Sequence, residues 1–149
     1  MSDAIAIKKI MLPAVLLLAV YIGWSQFNRP DDAAVYTDKS DAVLANVFEK
    51  RLSGIQVTGA GSVLKILPDD NDGSRHQRFI LKLRSGQTLL ISHNIDLAPR
   101  VPALREGDSI AFYGEYEWNA KGGVVHWTHR DPRGRHASGW LKHNGRTYQ

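Results

Sequence analysis

From Ile55 onward apolar side chains recur at every second position. Through residues 76–84 and 87–95 this places Phe79, Leu81 and Leu83 on one face, and Leu89, Ile91, His93 and Ile95 on another. Period two marks strands buried on one side, so this part of the chain must build a sheet with an inside and an outside. Ser85-Gly86 joins the two runs in a tight turn. An earlier strand covers 55–67 and is interrupted by Gly59 and Gly61, where a bend or bulge lets one strand serve two sheets. Residues 68–73 are a loop by composition, and 97–108 form an irregular crossover holding Pro99 and Pro102. A fourth strand over 109–118 contains Gly114, a turn follows at 119–123, and a fifth strand runs over 124–129. The expectation is an all-β chain: an OB-like five-stranded barrel within residues 55–149, ending in a His/Arg-rich tail. The stretch LREGDSIAFYGE at 104–115 resembles a turn-strand signature common in OB folds, and also suits SH3-like barrels and lipocalin fragments.

The first third of the chain reads differently. Residues 10–24 are fifteen consecutive apolar positions, and 10–27 as a helix would span about 27 Å against a bilayer core of about 30 Å. Lys8 and Lys9 precede the run and mark its cytoplasmic end. Residues 1–27 are therefore expected to be a transmembrane helix in the inner membrane, single pass, with the C-terminal domain in the periplasm. A cleaved signal releasing the domain to the periplasm is the alternative. Gly23-Trp24-Ser25 fits a cleavage site poorly because the apolar run continues into it. Residues 28–54 read as a polar linker and one flanking helix. Ser40 is expected to cap it, Val43, Leu44, Val47 and Phe48 to form its apolar stripe, and Gly54 to end it.

With 149 residues the chain holds one modest domain and excludes a two-domain enzyme. It has no cysteine, which excludes disulfides, thiolate metal sites and a cysteine nucleophile. The net charge is +4, and residues 55–149 supply all of it, with thirteen basic and nine acidic side chains. All six histidines lie beyond residue 75. Chemistry or anion binding belongs in this part.

Four segments, HQRFILKL (76–83), GQTLLISHNIDLAP (86–99), FYGEYEWN (112–119) and HWTHRDPRGRHASGWLKHNGRTYQ (126–149), resemble the bacterial family of domain of unknown function 3465. The resemblance covers about 55–149. It implies a small membrane-anchored or exported bacterial protein, and supplies no activity and no catalytic residue.

Three constellations could carry chemistry. His126, His129, Asp131 and His136 are candidate ligands for a divalent metal such as zinc, since neutral imidazole and carboxylate both suit it. In a continuous strand His126 and His129 face opposite ways, so they converge only if the chain bends near Thr128. The same segment could work as acid and base, with His129 and His136 as the pair, Asp131 fixing a tautomer, and Arg133 or Arg135 steadying charge. His93, expected near the barrel rim, is a further ligand-binding candidate, or else a histidine paired with Asn94 or Asp96. Finally, His76, Arg78, Lys82 and Arg84 share one side of the second strand, a face on which OB barrels bind polymers. Arg78, Lys82, Arg133 and Arg135 are the expected contacts. Asp69, Asp70 and Asp72 resemble the start of a calcium loop, but no glutamate follows at the required distance.

The leading expectation is an envelope binding module for a polyanion, nucleic acid or acidic glycan, or for an envelope partner protein. The alternative is a metal-assisted or histidine-based hydrolase such as a nuclease or phosphodiesterase.

Overall fold

The computed structural model describes residues 38–149. The expectations for the membrane segment at 10–27 and for most of the linker lie outside the described residues. Among the described residues no helix is long and apolar enough to cross a membrane.

The first element, α1 (Asp38–Glu49), begins two residues before Ser40, which therefore sits inside the first turn rather than capping it. Its buried stripe is Asp41, Leu44 and Val47, while Val43 is exposed. Asp41 turns inward because its Oδ2 accepts the Ser85 N–H at 2.8 Å, tying the helix to the turn after the second strand. The helix ends before Gly54. Arg51 takes the left-handed conformation (φ 54°), with Arg51 N–H donating to Phe48 O and Leu52 N–H to Val47 O. This pair of bonds is the Schellman stop, made here without glycine.

Strands β1 (Ile55–Asp70), β2 (His76–Leu83), β3 (Thr88–Asn94), β4 (Ser109–Glu117) and β5 (Val124–His126) close into a ring in the order β1-β2-β3-β5-β4-β1. β1 pairs with β4 through Ile55 to Ser62 and with β2 through Gly61 to Asp70, so it does serve both sides of the ring. Gly59 makes the closure possible. A Cβ there would meet Phe112 Cζ at 2.8 Å and Leu44 Cδ1 at 3.0 Å. β3 and β5 run parallel, and the other pairings in the ring are antiparallel. β1 runs on to Asp70, beyond the expected end at 67, with register shifts after Val63 and Leu67.

The expected faces hold. Phe79, Leu81, Leu83, Leu89 and Ile91 point into the core, joined by Ile110, Phe112, Tyr116 and Val125. Each fully buried side chain of this size contributes about 1.5–3 kcal/mol. β5 is half the expected length. It stops at His126 because Trp127 takes φ 51°, which breaks the ladder. The tail is not loose. β6 (Trp140–His143) and β7 (Arg146–Tyr148) form a hairpin whose first strand pairs with β4 through Ala111, Phe112 and Tyr113. Its turn is Asn144-Gly145, both with positive φ, the pairing that a tight hairpin requires.

Candidate functional site

One edge of β4 is shared. Its first part pairs with β6 and its last part, Glu115 to Glu117, with β5. Between these partners residues 127–139 leave the sheet as a loop. The loop is closed at its base by Gly139 N–H donating to His129 O at 2.9 Å. β5 approaches β4 closely because residue 114 is glycine. A Cβ there would overlap the His126 carbonyl oxygen and lie 2.9 Å from Thr128 Cγ2.

Asp131 shapes the loop from within. Its carboxylate accepts backbone N–H bonds from Arg133 (2.9 Å), Arg135 (2.7 Å) and His136 (2.9 Å). Those bonds from Arg133 and Arg135, with a third from His136, hold its pKa below the usual carboxylate range. The carboxylate binds backbone and fixes no imidazole tautomer, in contrast to the orienting role expected of it. What it positions is the backbone of His136. That ring stacks on Trp127, centroids 4.0 Å apart at 12°, and donates from Nε2 to Glu115 Oε2 at 2.8 Å. Its Nδ1 donates to Ala137 O at 2.8 Å. Burial alone would lower the His136 pKa. The hydrogen bonds to Glu115 and Ala137 and the charges of Glu115 and Asp131 outweigh it, and the pKa rises. With both nitrogens donating, His136 is an imidazolium and has no lone pair to act as base or ligand.

Glu115 has a second imidazole beside it. Glu115 and Glu117 are two apart on β4 and so share its outer face, and His126 is the direct cross-strand partner of Glu115. His126 Nε2 lies 3.4 Å from Glu115 Oε1 and 4.0 Å from Glu117 Oε1. That nitrogen is buried and has no hydrogen-bond partner. An unpartnered buried polar atom costs about 1–3 kcal/mol, so its place here asks for an explanation. Burial lowers the His126 pKa against the pull of Glu115 and Glu117, leaving the ring neutral.

The family model described as protein of unknown function (DUF3465) matches residues 31–149. The chain belongs to this family. The match takes in α1 as well as the strands. No curated protein matches the sequence.

In this DUF3465 chain the four expected metal ligands do not assemble. His126 and His136 meet through Glu115. Asp131 is committed to backbone, and His129, only 4% exposed, donates from Nδ1 to Arg130 O at 2.8 Å with its ring against Trp127. The chain does bend before Thr128, but Thr128 turns inward. His93 is not at the rim. It is fully buried, its Nε2 donating to Pro99 O (3.1 Å) and its Nδ1 accepting from Thr128 Oγ1 (2.8 Å). Asn94 and Asp96 are not its partners, and nothing outside the protein can reach it. Its cross-strand neighbour Gln77 clamps Val101 through two bonds, from Nε2 to Val101 O and from Val101 N to Oε1. Gln77 and His93 therefore hold the crossover against the ring.

The basic strand face is partly occupied. Arg78 donates to Pro68 O from two nitrogens at 3.1 Å and lies 3.7 Å from Asp70, whereas Lys82 is exposed. Asp69 pairs with Arg100, so the aspartates of that loop serve arginines. Arg133 and Arg135 are exposed on the loop. With Leu97, Trp127, Asp131, Pro132 and His136 they line an open cleft of about 500 Å³. A hollow of about 200 Å³ on the outer face is lined by His76, Ser92, Asn94, His126, Trp127 and His129. Sequence reasoning missed Glu115, Glu117 and Gln77. The visible signal for the first two was Glu-x-Glu on the outward parity of β4.

Proposed function

We propose that this chain is a membrane-anchored envelope protein whose periplasmic domain is an OB-like binding module for a polyanion, nucleic acid or acidic glycan. The strand order supports the OB-like reading: a meander of three strands, a long crossover, then a β1–β4 pair and a parallel β3–β5 pair closing the ring. The run at 10–27 behind Lys8 and Lys9 supports the anchor.

One observation carries the ligand class. The cleft of about 500 Å³ joins an aromatic ring, Trp127, to three cationic groups, Arg133, Arg135 and the His136 imidazolium; Asp131 also lines it, with its carboxylate enclosed by three backbone N–H groups. Aromatic stacking plus guanidinium contacts is how a polyanion with flat or ring-shaped units is held. Lys82 extends the positive field on β2, and Arg78 contributes less because its guanidinium is tied to Pro68 and Asp70.

The test is fluorescence anisotropy of the full chain in detergent with labelled single-stranded oligonucleotides and acidic glycans over a salt series. Replacing Arg133 and Arg135 together by Ala should remove two phosphate contacts, flattening the log–log salt slope by about 1.4. Absence of any salt-dependent binding to either polymer class would overturn the reading, and binding to a protein partner alone would replace it.

A further inference from the structure

The geometry points to a divalent metal site on the outer face of the ring, with His126 Nε2 and one oxygen each from Glu115 and Glu117 as ligands. The cation class is the borderline one typified by Zn²⁺. This ligand set differs from the His/Asp segment that the sequence suggested, and it does not depend on polyanion binding.

Three features carry it. The three donor atoms lie within 4.8 Å of one another, with 3.4 Å and 4.0 Å from the imidazole nitrogen to the two carboxylate oxygens. A zinc ion about 2.1 Å from each donor in tetrahedral geometry holds donors about 3.4 Å apart, so small side-chain shifts complete the site. Second, His126 Nε2 is buried and unpartnered while it faces the two carboxylates. With the ring proton on Nδ1, Nε2 presents its lone pair to the carboxylates, an arrangement that a cation between them relieves. Third, among the described residues no Lys or Arg forms an ion pair with Glu115 or Glu117: the His136 imidazolium holds Glu115 Oε2, and the neutral His126 faces the other oxygens. The negative charge left beside His126 suits a dication.

The surroundings orient the ligands. His136 donates from Nε2 to Glu115 Oε2, leaving Oε1 for the metal, and the stack on Trp127 holds the His136 ring. A hydrogen bond to the non-ligating oxygen of a carboxylate is the usual outer support of a metal ligand. One imidazole and two carboxylates select against Ca²⁺ and Mg²⁺, which want more oxygen donors, and suit Zn²⁺, Co²⁺ or Ni²⁺. Three protein ligands leave one coordination position. In a tetrahedral site that position takes water or an anionic oxygen of a ligand.

The experiment titrates the untagged full chain in detergent, stripped with chelator, with Zn²⁺ in a calorimeter and with Co²⁺ by visible absorption. The expected result is one ion per chain. His126→Asn and Glu117→Gln should each weaken binding by about tenfold or more, His136→Gln by a similar or smaller factor, and His76→Asn should change nothing. Circular dichroism verifies folding of each variant. X-ray absorption of the zinc-loaded wild-type protein supplies a measurement independent of the variants, with one imidazole in the first coordination shell expected. No stoichiometric uptake overturns the proposal. So does uptake unaltered by both folded variants, or a first shell with two or more imidazoles.

Discussion

Acidification should weaken this fold through His93, and the effect has a defined window. His93 is fully buried, and burial, opposed by the Pro99 and Thr128 hydrogen bonds and aided by the charges of His129 and His76, lowers its pKa from 6.5 to about 4. In the unfolded chain the same ring takes a proton near pH 6.5. Above that pH both states are neutral there and His93 has no pH-dependent effect. Between about 6.5 and 4 only the unfolded state binds the proton, so folding stability falls by about 1.4 kcal/mol per pH unit. Below 4 both states are protonated and the loss levels off at about 3 kcal/mol. A domain of this size has about 5–15 kcal/mol in total, so the loss is a large share.

The neighbouring shifts sort by window. His126 is lowered, which adds to the loss below 6.5. His136 is raised, so its contribution is complete below 6.5 and disappears as pH rises through its folded value. Stability should therefore peak close to pH 6.5. Asp96 and Asp131 are lowered from 3.8, and their contributions disappear only as pH falls below that value. The assay is urea unfolding of the full chain with chelator present, followed by tryptophan fluorescence from pH 8 to 4, for wild type and His93→Gln. Glutamine can donate to Pro99 O and accept from Thr128, and it does not titrate. The variant should lose about one proton's worth of slope, about 1.4 kcal/mol per unit, between 6.5 and 4. Equal slopes in the two proteins, or a His93 ring resonance that titrates near 6.5, would refute the reasoning.

Two further outcomes follow from the loop and its base. Gly114→Ala places a methyl on the His126 carbonyl and against Thr128, so β5 must move off β4. Overpacking of this kind costs about 1–3 kcal/mol, read as a lower urea midpoint, and an unchanged midpoint would show that β5 yields freely. Asp131→Ala removes the acceptor of three backbone N–H groups. Amide exchange at Arg133, Arg135 and His136 should accelerate by about tenfold, roughly what one hydrogen bond supports, and the His136 ring pKa should fall. Unaltered exchange at all three amides would mean the loop is held by other contacts.

Much of the ring was legible because period two is a direct record of inside and outside. Phe79, Leu81, Leu83, Leu89 and Ile91 are core as the alternation requires. Gly59 was legible as a special position because a strand has little other use for it. The tail was misread although its signal was present: Asn144-Gly145 between WLKH and RTY is a hairpin sequence, masked by the density of His and Arg before it. The site was legible only in part. His126 and His136 stood out by type, but which carboxylate they met depended on cross-strand register, and a single chain reading does not state that Glu115 lies opposite His126. Asp131 looked like a ligand because sequence shows a carboxylate but not the backbone N–H groups that enclose it. His93 shares the parity of Leu89 and Ile91, and that parity was correct. Its burial follows from the same parity, since two hydrogen bonds are enough to place a neutral imidazole in a core.

Trp127 connects these observations. A bulky residue with φ 51° is strained by about 1–3 kcal/mol, and the strain persists only where the surroundings hold it. Here they do so on both sides of one backbone turn. Before it, Val125 points into the core and His126 outward, as strand parity dictates. After it, Thr128 is fully buried and bonded to His93, and His129 accepts Gly139 N–H at the base of the loop. The indole itself stacks on His136, which is fixed to Glu115. A regular strand through 129 would have continued the β4 ladder and left no loop between β5 and β6. The turn at Trp127 instead trades ladder hydrogen bonds for a loop that returns His136 to the outer face, beside the carboxylates of β4. The residue that ends the last strand of the ring is thus the one that assembles the histidine–glutamate cluster and lines both clefts.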